Sequence, residues 1–327
     1  MTVLVTGSAG FIGYHVAEAL LARDQSVLGI DNLNSYYDPG LKQARLERLQ
    51  AHSGFTFAQA DIADLAAITT LARRHRDHID GVIHLAAQAG VRHSLAAPFD
   101  YVHSNLQGHM VVLEVCRQEL PELRHLVYAS SSSVYGGNSK IPFSVEDRVD
   151  QPISLYAATK RADELLSHCY SHLYRIPSTG LRFFTVYGPW GRPDMAAFRF
   201  AAAISAGRPI TLYNDGEMER DFTYIDDVVA GVLAALDRPP AGEDRAPHRL
   251  YNLGNHRPVA LRRFVTVLEA ALGRRAEIEL APLPEGDVIR TCADIEASTR
   301  DLGFEPRTPI EDGLPRFVAW YRDYHGL

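Results

Sequence analysis

Tyr156-Ala157-Ala158-Thr159-Lys160 sets a phenol and an ammonium four residues apart, on one face of a predicted helix. A free phenol ionises near about pH 10, too high for a base at neutral pH, and a neighbouring ammonium favours the phenolate. Such a pair takes the proton of an alcohol while a hydride leaves the same carbon, provided an acceptor lies alongside. Lys42, Lys140 and Lys160 are the only lysines among 327 residues, so this offset is an uncommon coincidence for an ordinary surface pair. Ser131 stands 25 residues before Tyr156, in the run Ser130-Ser131-Ser132-Ser133 that closes a predicted strand. By itself a serine run is a polar loop; at the carboxyl edge of an open sheet its hydroxyl can share the proton of the reacting alcohol.

The acceptor also has a predicted place. Gly7-Ser8-Ala9-Gly10-Phe11-Ile12-Gly13 follows an apolar strand directly and opens an amphipathic helix. Glycines there let the backbone turn close to a pyrophosphate at a helix N-terminus. Asp31 ends the second predicted strand, 18 positions beyond Gly13, where a carboxylate accepts from both adenosine ribose hydroxyls and repels a 2′-phosphate. NAD is therefore expected rather than NADP. Asp61-Ile62, after the third strand, either flanks the adenine or caps the next helix.

The elements that position these groups follow from periodicity. Strands are expected at Val3 to Thr6, Ser26 to Ile30, Phe55 to Gln59, Val82 to Ala86, Leu126 to Ser130 and Ser178 to Phe183, separated by helical patterns. That alternation predicts an α/β fold, a Rossmann-type doubly wound parallel sheet over residues 1–185. Residues 186–327 form a smaller α/β substrate-binding domain, with about 223–255 expected to rejoin the first sheet. Within it the spacing gives a strand at Ile210 to Tyr213, a charged hairpin-like turn NDGEMERD, a helix from Asp226 to Leu236, a strand from Arg249 to Leu253, and a surface loop from Arg238 to His248.

Composition narrows the partners. Hydrophobic residues at 46% and charged residues at 22% suit a soluble globular chain, and a net charge of −7 offers no basic field for nucleic acid or an anionic membrane. No apolar stretch is long enough to span a bilayer, and the start of the chain reads as a first strand rather than a signal. Cys116, Cys169 and Cys292, without a CxxC, argue against a disulfide framework and for a reducing cytoplasm; Cys116 and Cys169 are expected as core thiols on helices. The 14 histidines show no metal-ligand spacing, so no metal is expected.

Together the glycine loop, His84-Leu85-Ala86-Ala87, the serines before Val134-Tyr135-Gly136, and Tyr156xxxLys160 resemble the extended short-chain dehydrogenase/reductases, in particular the nucleotide-sugar epimerases, over nearly the whole chain. More narrowly, Asp31-Asn32-Leu33-Asn34-Ser35-Tyr36-Tyr37-Asp38 with Leu41-Lys42, Gln88-Ala89-Gly90-Val91-Arg92, and the segment from Thr185 through Gly191-Arg192-Pro193-Asp194 to Ala196 resemble the UDP-glucuronate 4-epimerases.

The resemblance implies Tyr156 as base, Lys160 as its tuner and nicotinamide-ribose contact, and Ser131 as the hydroxyl on O4 of the sugar. It places tightly held, recycled NAD on Gly7, Gly10, Phe11, Ile12 and Gly13, with Asp31, Asn32 and Lys42 at the adenosine end beside Asp61 and Ile62. Leu85, Ala86, Ala87 and Asn105, with Tyr156 and Lys160, complete that surface. It assigns a UDP-sugar with a C5 carboxylate to Ser132, Ser133, Arg92 and Thr185, with Arg192 as carboxylate clamp and Arg220 on the diphosphate. The implied activity is 4-epimerisation of UDP-glucuronate to UDP-galacturonate through a 4-keto sugar; the alternatives are UDP-glucose or UDP-N-acetylhexosamine epimerisation, or UDP-glucuronate decarboxylation. From another class, a dinucleotide-sensing protein would keep the fold without needing Tyr156, Lys160 and Ser131. Pro284-Glu285-Gly286-Asp287 lacks the arginine that galactose-type epimerases carry near the diphosphate. Apolar residues on several faces of the helices Tyr101 to Arg117 and Leu155 to Tyr174 suggest a homodimer through them.

Overall fold

The short apolar runs pair as parallel strands in the computed structural model, which describes residues 2–242 and 245–327. The first six are β1 (Thr2–Thr6), β2 (Ser26–Asp31), β3 (Phe55–Gln59), β4 (Ile79–His84), β5 (His125–Ser131) and β6 (Ser178–Phe183). Then come β7 (Thr185–Tyr187), β8 (Ile210–Tyr213), β9 (Glu219–Arg220), β10 (Phe222–Tyr224), β11 (His248–Leu253), β12 (Val259–Ala260) and β13 (Ile278–Ala281). The large sheet has seven strands in the order β11-β6-β5-β4-β1-β2-β3, all parallel. Its order reverses between β1 and β4, which opens a crevice beyond the carboxyl ends of those strands, where open α/β sheets bind ligands.

Helices cover both faces. They are α1 (Phe11–Leu21), α2 (Pro39–Gln50), α3 (Leu65–His75), α4 (His93–Ala96), α5 (Pro98–Tyr101), α6 (Gly108–Glu119) and α7 (Leu155–Tyr174), then α8 (Ala196–Ser205), α9 (Ile225–Asp237), α10 (Leu261–Leu272), α11 (Glu296–Leu302) and α12 (Ile310–His325). Alternate residues of the strands feed two cores: Val3, Val5 and Ile83 pack with Leu20 and Val232 on one face, Leu4, Val82 and Leu126 with Ile68 and Val112 on the other. Strands buried on both faces are the reason their sequences read as continuous apolar runs.

Several elements depart from expectation. β4 begins three residues earlier than Val82 and ends at His84, so Leu85 to Ala87 leave the ladder and reach the crevice. NDGEMERD is not a hairpin: a short 3-10 turn at Asn214–Gly216 leads into β9, which pairs antiparallel with β12. The single helix expected from Tyr101 is broken by a π-helical turn over Val102–Gln107. Cys116 is buried as expected, whereas Cys169 is exposed because it lies on the outer side of α7. Residues 243 and 244 of the Arg238 to His248 loop lie outside the described residues.

The core holds neutral histidines. Burial pushes His15, His125 and His248 down to about 4 and His109 to about 3, and His84 falls well below its ordinary range. Each is held by a neutral partner, as in His125 to Thr179 and the Leu236 carbonyl. Folded values below the unfolded value of about 6.5 mean that this stabilisation is present above that pH and lost as pH falls towards the folded values. At about pH 5.5 each such histidine forfeits about 1 kcal/mol. The Tm should therefore fall by roughly 5–10 °C between about pH 7.5 and 5.5; a scanning-calorimetry Tm independent of pH over that interval would contradict it.

Candidate active site

The crevice is a cleft of about 1180 Å³ that runs from the glycine loop past Ser131, Tyr156 and Lys160 to Arg192, Arg220 and the 285–288 loop. It exceeds the roughly 300–1,000 Å³ of an ordinary small-molecule pocket, enough for a cofactor and a second ligand.

At one end, Gly7 takes φ +73°, and a Cβ on it would lie 2.8 Å from the Ala86 nitrogen. A Cβ on Gly13 would lie 2.0 Å from the Gly7 carbonyl oxygen. Only glycine lets the loop, the start of α1 and the end of β4 approach this closely. Asp31 is buried at the end of β2, accepts from the Ala9 and Leu33 backbone N–H groups at 3.2 and 2.8 Å, and lies 3.7 Å from the Lys42 ammonium. A carboxylate at this point suits a ribose diol and repels a phosphate. The glycine turn that any Cβ would block and this carboxylate are the features an NAD molecule requires, so the residues present fit it.

Midway along the cleft, Ser154 caps α7 by accepting from the Ala157 N–H at 3.1 Å, which puts Tyr156 in the first turn and Lys160 one turn deeper. The Tyr156 ring meets the edge of Tyr101 at 6.0 Å between centroids. Lys160 donates to the Ala129 carbonyl at 3.0 Å and to Asp163 at 3.1 Å, leaving its third proton for the cleft. Ser131 ends β5 and accepts from the Ser133 N–H at 3.1 Å, whereas Ser130 is committed to the buried Glu164 at 2.6 Å.

The far end is ionic. Arg192 donates through Nε and Nη2 to Asp194 at 3.0 and 2.5 Å, so the fork expected for a substrate carboxylate is occupied by the chain's own. Burial works against both charges, yet the pairing raises Arg192 and holds Asp194 below the ordinary carboxylate range. Nη1 of Arg192 makes no bond to Asp194, so an anion entering the cleft meets Nη1 or displaces Asp194. Tyr36 donates to Asp194 at 3.2 Å. Arg220 does not pair within its own ERD segment as a simple salt bridge would; it donates to Asp287 at 2.7 Å, and Arg92, stacked over the Tyr213 ring at 4.2 Å, lies 3.5 Å from the same carboxylate. Two arginines thus converge on Asp287, in the 284–287 segment that itself carries no arginine.

Of the expected site residues, Asp61 and Asn105 do not line the cleft. Asp61 turns to the Ala63 N–H, Asn32 and His103, and the cap of α3 is Asp64. Asn105 is buried in the π-helical turn, where it bridges the Gln88 backbone and Thr159 and so braces the wall from behind. Sequence reasoning missed Arg45, which is fully buried and donates to the Ala9 carbonyl at 2.9 Å and the Trp190 carbonyl at 2.6 Å. It ties the glycine loop to the loop carrying Arg192, but on a helix as charged as α2 it reads as a surface residue.

Residues 3–254 match the NAD dependent epimerase/dehydratase family. A probable UDP-glucuronate 4-epimerase of Rhizobium meliloti is 46% identical over 98% of this chain and 97% of its own. UDP-glucuronate 4-epimerase 4 of Arabidopsis thaliana is 48% identical over 99% of this chain and 76% of its own. The crystal structure of UDP-glucuronic acid 4-epimerase from Bacillus cereus, in complex with UDP-glucuronic acid and NAD, superposes with a TM-score of 0.90 at 35% identity, covering 99% of this chain and 100% of that one. With the glycine turn, Asp31 and the Tyr156–Lys160 pair on one cleft, the chain belongs to the NAD dependent epimerase/dehydratase family.

Proposed function

We propose that this protein is an NAD-dependent UDP-glucuronate 4-epimerase that produces UDP-galacturonate. The observation that carries the reading is the order of groups along one cleft: glycine loop and Asp31, then Ser131, Tyr156 and Lys160, then Arg192. NAD, when bound, supplies the acceptor for the C4 hydride and returns it, so net redox change is zero. Tyr156 takes the 4-OH proton as its phenolate, Ser131 holds O4, and Lys160 balances the charge. After the ketone turns its other face, Tyr156 gives the proton back to O4.

No acidic side chain follows Ser131; Ser132 and Ser133 stand there instead. Without a base for C5, the keto sugar is reduced again rather than dehydrated. Arg192 holds the C5 carboxylate, and Arg220 with Arg92 holds the diphosphate once Asp287 gives way. Residues 1–185, rejoined by about 223–255, serve NAD, and the rest of 186–327 serves the sugar nucleotide. The decisive assay incubates purified protein with UDP-glucuronate and no added NAD and follows the products by NMR. UDP-galacturonate is the expected product; UDP-glucose turned over in preference would favour the neutral-sugar alternative, and a UDP-pentose the decarboxylase.

The enzyme works as a cytoplasmic homodimer in this reading. On α7, Leu165 and Leu173 are 56% and 58% exposed, and Phe99 and Val102 lie bare ahead of α6. Burying them against a second copy removes an apolar surface that a monomer leaves in water. Light scattering at micromolar concentration should give about twice the 36.2 kDa chain mass, and a monomeric mass would contradict the assembly.

A further inference from the structure

Asp163 lies one turn beyond Lys160 on α7, and both side chains are almost fully buried, at 1% and 4% exposure. Its Oδ2 accepts from the Lys160 ammonium at 3.1 Å, while Oδ1 is buried without a hydrogen-bond partner among the described residues. A buried carboxylate with half of its acceptor capacity unused is costly unless it has a use. The other groups around it cannot balance Lys160. Glu164 on the same helix is taken by Arg182, Arg161 and Ser130. His109 of α6 and His84 of β4 are held neutral by burial, Tyr128 of β5 is pushed far up, and the remaining bond of Lys160 goes to the uncharged Ala129 carbonyl.

We propose that Asp163 is a positioning residue for proton transfer: as the buried counter-charge of Lys160, it tempers the positive field of that ammonium at Tyr156, which also feels Arg192 in the same cleft, and thereby shifts the pH range in which the phenol serves as base. The proposal rests on Tyr156 and Lys160 acting as the proton-transfer pair of an epimerase. Burial pushes the Asp163 carboxyl up to about 6, against the pull of Lys160. Above that pH it is a carboxylate and partly cancels the ammonium; below it, a proton settles on the carboxyl and Lys160 stands uncancelled.

Asp163→Asn keeps the shape and an acceptor for Lys160 but removes the charge. The phenolate then gains stability and the ammonium loses it, so both limbs of the pH profile of kcat/KM should move to lower pH by about one unit. Asp163→Ser, which leaves room for a water, should move them the same way if the asparagine variant does not fold. Asp163→Glu keeps the charge and should keep the position of the profile. A merely structural role would lower the rate in every variant without moving either limb, and unmoved limbs in a folded neutral variant would overturn the proposal. Independently of turnover, infrared difference spectra of the parent against the neutral variant should show a buried protonated carboxyl growing in as pH falls through about 6. A band already at full strength above neutral pH would mean that Lys160 has no counter-charge in the working range, and would also overturn it. Failure of the parent to epimerise UDP-glucuronate would count against the function instead, and the infrared result would still decide for or against Asp163.

Discussion

Tyr156→Phe is expected to keep the fold and bind NAD as the parent does, yet to lose about 10²–10⁴-fold or more in kcat. The phenol stands in the first turn of α7 with its ring against Tyr101, and its ring packing survives loss of the hydroxyl. What is lost is the group that takes the 4-OH proton: the Lys160 ammonium and the Ser131 hydroxyl, whose oxygen already accepts from the Ser133 N–H, can donate to O4 but are not bases at neutral pH. KM should change little, since proton transfer belongs to the transition state rather than to substrate binding. Single-turnover kinetics near the parent rate would remove Tyr156 from the reaction.

Arg192→Ala is the second large effect, and the structure changes its reason. The sequence suggests a free fork awaiting a carboxylate; the fork is instead shared with Asp194. On the proposed function, shortening Arg192 removes a charge-assisted contact to the substrate and also strips Asp194 of its partner, so two carboxylates face each other in the cleft. For UDP-glucuronate the loss in kcat/KM should correspond to about 2–5 kcal/mol, roughly 30-fold to several thousand-fold. UDP-glucose carries no C5 carboxylate, so any slight activity on it should fall little or rise. Equal proportional losses on both sugars would show that Arg192 supports the loop, through Asp194 and Tyr36, and that acid-sugar recognition lies elsewhere.

What could be read from the sequence was whatever local chemistry dictates. The glycine turn, Asp31 at a strand end and the four-residue spacing of Tyr156 and Lys160 each follow from backbone geometry within one element, and the cleft brings them together. The contribution of β11 to the large sheet was legible from its apolar pattern, though its pairing with β6 is a matter of tertiary contact. The rest was hidden because it depends on partners distant in the chain. Arg45 becomes a core residue only by meeting Ala9 and Trp190, and Asp287 becomes part of the site only where Arg220 and Arg92 converge on it. Asp194 was within reach, two residues from Arg192 in a loop that a guanidinium can fold back on. Asn105 was expected on the cofactor surface from the resemblance; the π-helical turn that holds it behind that surface carries no pattern distinct from an ordinary helix.

The claim that the chain removes and returns hydrogen at a single carbon is tested most directly with UDP-glucuronate deuterated at C4, incubated with the purified protein and no added cofactor. Retention of the deuterium at C4 of UDP-galacturonate, with none from solvent, is the expected result. Deuterium lost to water, or a product that lacks the carboxylate, would contradict it.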